Sequence, residues 1–196
     1  MPRASKADKA KNHQRIIEEA ARQIRAGGIE GLGIADLMKS VGMTHGGFYR
    51  HFKDKEDLSV AAINHAFETF SERLERDLDE LGAEAALKAF VQRYLSTEHV
   101  KNPSIGCPAS ALSGQAVRCT DAERAAISRG VSRIEALLEK ALCDLPTRIP
   151  LSAASFFSLL VGGVVLARSA TAEKDAEHVL AKSRLLLEDI GLLQPQ

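Results

Sequence analysis

The chain has 196 residues, 45% of them hydrophobic, enough for one large helical domain or two small ones with a sizeable core. Its longest apolar run, Phe156 to Ala167, is 12 residues, short of the ~20 that a membrane-spanning helix needs. Three cysteines without metal-ligand spacing argue against a disulfide framework or a zinc site. The formal net charge is zero, but residues 1–55 hold 11 Lys and Arg against 6 Asp and Glu, leaving 15 against 20 in residues 56–196. A basic N-terminal part attracts phosphates while an acidic body stays off them.

Residues 1–7 read as a basic arm, in which Arg3 and Lys6, continued by Lys9 and Lys11, either reach phosphates or form a solvated tail. Met1 to Lys11 lacks the apolar block of a secretory signal, so a cytoplasmic location is expected. A first helix is expected from Asp8 to Ala26, burying Ile16, Ile17, Ala20, Ala21 and Ile24, with Gly27 and Gly28 ending it. Next, Ile34, Leu37, Met38 and Val41 recur at helical spacing, Gly42 interrupts them, and a short run with Phe48 and Phe52 inward follows. That pattern predicts helix, tight turn and second helix over about Thr44 to His51, with the Thr44 hydroxyl as cap. Units of this kind lay the second helix in the DNA major groove.

Residues Ile34 to Phe52, with Gly42-Met-Thr-His-Gly-Gly-Phe-Tyr-Arg-His-Phe52 and the following Lys55-Glu-Asp-Leu58, resemble the DNA-binding region of TetR/AcrR-type bacterial transcriptional regulators. The likeness covers residues 10 to 60 closely; the remainder agrees in length and helicity. Met38 departs from the family's usual small Ala, and Gly33 from a capping Thr or Ser. The resemblance implies that Tyr49 and His51 donate to phosphates, as does Lys55 from the next helix. At the exposed end of the reader, Thr44, His45, Gly46 and Gly47 face the groove, with His45 the best candidate for a base contact. Gly46 and Gly47 are poor helix formers, which points either to close approach of DNA or to a loose turn. Arg50 contacts DNA or lies on a solvated, salt-bridged face, and His51 is either a phosphate donor or a satisfied histidine under Phe52.

Beyond the reader, Asp54 should cap a helix from Lys55 to Leu81 with the stripe Ile63, Phe67, Phe70, Leu74, Leu78 and Leu81. Gly82 breaks it, and a helix from Ala83 to His99 buries Leu87, Phe90, Val91, Tyr94 and Leu95. Lys101 to Gly106 reads as a loop. Cys107-Pro108 then opens a helix to about Val117. Another runs from Thr120 or Asp121 to Cys143, and Pro146 and Pro150 bracket the next connection. The helix from Leu151 to Ser169 is apolar nearly all round, and the last, from Ala172 to Ile190, is amphipathic.

The expected fold is all-α, with about nine helices. Residues 1–54 should form a three-helix head with a helix-turn-helix, and 55–196 a helical ligand-binding and dimerisation body. The two closing helices either pair with their copies in a homodimer or close the monomer core. Phe67, Phe70, Phe90, Tyr94, Cys107 and Phe157 are either plain core or the lining of an effector pocket, and the resemblance implies a small effector, whose identity the sequence leaves open. Cys107 at a helix N-cap is either a sensor whose thiol the helix dipole activates or a small apolar filler. No catalytic constellation, metal pair or cofactor motif stands out, so an enzyme is not expected. The first expectation is a dimeric, ligand-responsive regulator that binds a palindromic double-stranded DNA operator as a repressor, with no membrane partner. The alternatives are an architectural DNA-binding protein without effector, or a redox-sensing regulator acting through Cys107.

Overall fold

The computed structural model describes residues 6–143, 145, 147 and 149–192; the expectations for Arg3 and Pro146 lie outside them. Helix α1 (Lys6–Gly27) starts two residues before the expected boundary, so Lys6 is helical and not part of an arm. Its apolar stripe buries Ile16, Ala20, Ala21 and Ile24 completely, and Gly28 turns the chain out of it with φ 82°. The short α2 (Ile34–Ser40) follows, with Leu37 and Met38 buried. Arg15 on α1 donates to Val41 O at 3.0 Å and so ties α1 to the end of α2. Gly42 adopts φ 75°, a left-handed conformation that a Cβ would disfavour, and makes the tight turn.

The second element of the helix-turn-helix differs from expectation. His45–Arg50 is a 3₁₀ segment, not an α-helix, and Thr44 stands at its N-cap without a side-chain capping bond. Gly46 and Gly47 weaken α-helical preference here, and the tighter winding is anchored by Phe48, which is fully buried. Met38 is accommodated as a large side chain: it is fully buried, its methyl 3.7 Å from where a Cβ on Gly47 would stand. Phe52 packs beneath, with ring centroids 5.6 Å from Phe48 and 4.6 Å from His13 of α1.

The 27-residue α3 (Lys55–Leu81) begins where Asp54 accepts a bond from Asp57 N–H and ends at Gly82. At 1.5 Å per residue it spans about 40 Å. One end packs on α1, and along its length it packs on α7 (Asp121–Leu142). That contact is close because Gly130 of α7 faces Phe67: a Cβ at 130 would stand 2.1 Å from the Phe67 ring. Ser59 of α3 donates to Glu123 Oε1 at 2.5 Å, and Glu123 also completes the capping box that Thr120 opens at the start of α7. This buried carboxylate thus satisfies two helices at once. Leu81, expected in the apolar stripe, is 52% exposed because the helix outruns the core.

The helix expected from Ala83 to His99 is two. Helix α4 (Ala83–Tyr94) stops at Leu95, and Ser96 caps a new short α5 (Thr97–Lys101) by accepting from His99 N–H at 3.2 Å. The expected loop after it is largely helical as well, since α5 reaches Lys101 and Pro103–Ile105 forms a 3₁₀ turn. The helix opened by Cys107 is α6 (Pro108–Leu112), continued as a 3₁₀ segment over Ser113–Arg118. Ser152 caps α8 (Ala153–Ser169), which packs on α9 (Glu173–Asp189). No strand occurs among the described residues, and no helix among them is long and apolar enough to cross a membrane.

Candidate functional site

Two regions concentrate the expected functional residues. The first is the exposed rim of the helix-turn-helix, where Thr44, His45, Gly46, Tyr49 and Arg50 are exposed and Gly47 half-buried. Tyr49 is 64% exposed, its ring edge-on to buried Phe48 at 5.2 Å, so the 3₁₀ winding aims the phenol outward from a fixed base. His45 meets Tyr49 edge-on at 6.3 Å. Gly46 has an ordinary negative φ, and a Cβ added there would meet nothing within 4 Å. Neither the backbone nor internal packing therefore asks for glycine at this position.

His51 is half-buried beside His13, ring centroids 5.8 Å apart, and its Nδ1 has no hydrogen-bond partner. Burial, reinforced by the nearby charges of His13, Lys9 and Arg50, lowers its pKa. Lys55 donates to Glu30 O at 3.1 Å, which ties the start of α3 to the loop after α1. Lys53, exposed between the reader and α3, extends the basic rim; helical periodicity does not mark it because it lies outside both helices.

The second region is a cavity of about 700 Å³, open on one side, bounded by α1, α3, α4, α5 and the Pro103–Ile105 turn. Of the six candidates for a pocket, Phe70, Phe90 and Tyr94 line it, while Phe67, Cys107 and Phe157 do not. Phe67 is committed to Gly130, and Phe157 packs on Tyr94 at 6.2 Å between ring centroids. Polar lining comes from residues that helical periodicity does not mark, among them Arg25, Arg73 and His99. Arg25 is the unexpected member, since it belongs to α1 of the head; its Nη1 donates to Gly106 O at 3.3 Å across the seam.

His99 organises the cavity's inner edge. Its Nδ1 donates to Tyr94 O at 2.7 Å, and its Nε2 accepts from Cys107 N–H at 2.9 Å, which fixes a neutral ring. Burial lowers its pKa to about 4, outweighing the bond to Tyr94. Arg168 of α8 then donates to the carbonyls of His99, Val100 and Ser110 at 3.1 to 3.4 Å. Arg184 of α9 reaches Leu95 O in the same way.

Of the two readings of Cys107, the small apolar filler agrees with the structure and the activated sensor does not. The residue does stand at the N-cap of α6, but it is completely buried, and that burial pushes its thiol up, outweighing the opposing influence of the neighbouring Tyr94 hydroxyl and the start of α6. Desolvation of the thiolate outweighs the field of a five-residue helix. Tyr94 is buried alongside, its Oη without a well-formed hydrogen bond, and burial raises its phenol well above the usual range. Among the described residues, no group of three or more His, Cys, Asp or Glu is placed to hold a metal ion.

Residues 16–62 match the family model described as bacterial regulatory proteins, tetR family, which spans the helix-turn-helix just described. The helix-turn-helix region of this chain is of the TetR type. Among curated relatives, the HTH-type transcriptional repressor NemR of Escherichia coli strain K12 is 27% identical over 117 residues, 59% of each chain. The HTH-type transcriptional regulator SAB2452 of Staphylococcus aureus is 29% identical over 98 residues, covering 50% of this chain and 53% of that one. The matched stretch thus spans less than two thirds of these curated relatives. The TetR-type fold extends further. The crystal structure of reduced E. coli NemR superposes with a TM-score of 0.75 at 21% identity, covering 89% of this chain and 96% of that one. A TetR-family regulator of Agrobacterium tumefaciens gives 0.76 at 16% identity, covering 93% and 98%.

Proposed function

We propose that this protein is a homodimeric, ligand-responsive transcriptional repressor of the TetR family, with residues 1–54 as the DNA-binding unit and 55–196 as the effector and dimer unit. The observation that carries the reading is Gly46: a bare position on the exposed rim, flanked by Thr44, His45, Tyr49 and Arg50, which nothing inside the molecule requires to be glycine. Close approach of an external duplex supplies the missing reason. His45 reads a base edge, Tyr49, His51 and Lys55 hold phosphates, and Arg50 with Gly47 completes the contact surface.

Exposed Val165 and Leu166 on α8, and Leu185 and Leu186 on α9, support pairing of these helices with their copies. Two heads then meet half-sites of a palindromic operator roughly 34 to 36 Å apart. The cavity between head and body supports an effector that favours a dimer whose heads no longer match successive grooves.

The test is fluorescence anisotropy of the full chain with duplexes selected from a random pool, across a range of salt. Tyr49→Ala and Lys55→Ala should weaken binding to all sequences and each reduce the salt slope by about 1, whereas His45→Ala should change base preference. Unchanged salt slopes in both phosphate variants would remove those two residues from the interface, and failure to enrich any sequence would end the operator reading.

A further inference from the structure

The cavity's lining is electrically unbalanced. Three arginines face it, Arg25, Arg73 and Arg93, against one carboxylate, Glu98. Arg93 is neutralised by Asp77, and Glu98 is engaged by the Asn102 side chain at 2.7 Å. Arg25 has no such partner. Its Nε donates to Ala21 O at 3.0 Å and its Nη1 to Gly106 O at 3.3 Å, both neutral carbonyls, and no carboxylate among the described residues pairs with it. Burial even pulls its pKa down. A partly buried guanidinium held only by carbonyls has given up water without gaining a counter-charge. Arg73, at the exposed side of the cavity, likewise has no ion-pair partner among the described residues. His99 adds no compensating charge, because its hydrogen bonds fix it as neutral.

The same lining carries three aromatic rings, Phe70 and Phe90 each one helical turn from a cavity arginine, Arg73 and Arg93. Phe70 meets Phe90 at 6.1 Å and Tyr94 at 6.2 Å between ring centroids, both edge-on, and Phe70, the half-buried one of the three, keeps ring surface open to a further planar group. Resting on the effector reading above, we propose that the cavity takes an aromatic organic anion, its ring system against Phe70, Phe90 and Tyr94 and its anionic group on Arg25, with Arg73 assisting. Charge-assisted, bidentate pairing is what a guanidinium offers such a group. The position of Arg25 gives the pairing a regulatory meaning. It lies in the last turn of α1, so an anion that competes with Gly106 O for its Nη1 acts directly on the link between head and body.

The experiment compares two dyes of like aromatic framework: 1-anilinonaphthalene-8-sulfonate, which is anionic, and N-phenyl-1-naphthylamine, which is neutral. Both are titrated by fluorescence into the full chain without DNA, alongside Arg25→Gln, Arg73→Gln and Arg76→Gln, the last an exposed α3 position outside the cavity. The wild type should bind the sulfonate at one site per chain about tenfold more tightly than the neutral dye. Arg25→Gln should lower sulfonate affinity by about tenfold and Arg73→Gln by about threefold, with the neutral dye unchanged and Arg76→Gln without effect. Should Arg25→Gln fail to fold, Arg73→Gln carries the comparison. Equal affinity for the two dyes, or sulfonate binding indifferent to both cavity arginines, overturns the anion preference. Binding of neither dye overturns the ligand site altogether. Because no DNA is present, a failure of operator binding in the anisotropy experiment is read separately.

Discussion

Gly46 and Arg25 are informative for opposite reasons. Gly46 is a residue with fewer contacts than its conformation allows, and Arg25 is one with more burial than its partners justify. Each mismatch points outside the chain, to a duplex in one case and to a small anion in the other. Gly46→Ala separates the two explanations of a bare position. It should leave stability unchanged or raise it by up to about 1 kcal/mol, because alanine is the better helix former. Operator affinity should nonetheless fall by at least about tenfold, measured by anisotropy beside thermal unfolding of the same preparation. Unimpaired binding would remove close approach as the reason for the glycine. Cys107 shows the reverse lesson, since its N-cap position was legible in the sequence but its complete burial was not, and burial decided its chemistry.

At the scale of elements, the sequence was most legible where a cap and a breaker flank a long stripe. Asp54 and Gly82 bound α3 at the expected residues, and Thr120 with Glu123 opens α7 as a capping box. Where periodicity runs through a break it misleads. Leu95 to His99 continues the helical spacing of α4, yet Ser96 starts a new turn, because its hydroxyl serves His99 N–H and the His99 ring is needed between Tyr94 O and Cys107 N–H. The cavity was half legible for the same reason. Phe70, Phe90 and Tyr94 announce themselves as apolar spacing, whereas Arg25, Arg73 and His99 meet there only through tertiary packing. The His99 junction makes a testable demand on pH. Its folded pKa, about 4, lies below the unfolded value near 6.5, so the unfolded chain takes up the proton first. The stability it contributes is complete well above pH 6.5 and is lost as pH falls through 6.5 toward 4, at a limiting slope of about 1.4 kcal/mol per unit. Urea denaturation at pH 6.5 and 5 should therefore show wild type losing about 1.5 kcal/mol more than His99→Gln. Equal losses would show that another group controls the acid limb.

At the scale of the whole molecule, three segments share one frame: a basic rim at one end, a cavity at the seam, and an apolar face on α8 and α9. Helix α3 links the first two, because it begins beside the reader, where Lys55 holds Glu30 O, and lines the cavity with Phe70 and Arg73. The apolar face is the part most open to direct test. Leu166 is 60% exposed within one chain, so Leu166→Glu should not disturb the fold of the protomer. In a dimer built on this face, it buries a charge against its copy. Sedimentation velocity should then report a monomer, and operator affinity should drop by about 100-fold or more as the second head is lost. A dimer that survives the substitution would place the partner surface elsewhere.

The ties made by Arg168 and Arg184 have an evolutionary corollary. Arg168 clasps the main-chain oxygens of His99, Val100 and Ser110 and Arg184 that of Leu95, with Ser110 Oγ and Glu177 as their side-chain partners, and every amino acid brings the same main-chain oxygen. Side chains along that rim can be exchanged by mutation, altering which molecule is welcomed, while the mechanical hold on α8 and α9 persists. On the effector reading, such an arrangement lets descendants acquire new chemical tastes without rebuilding the packing beneath them.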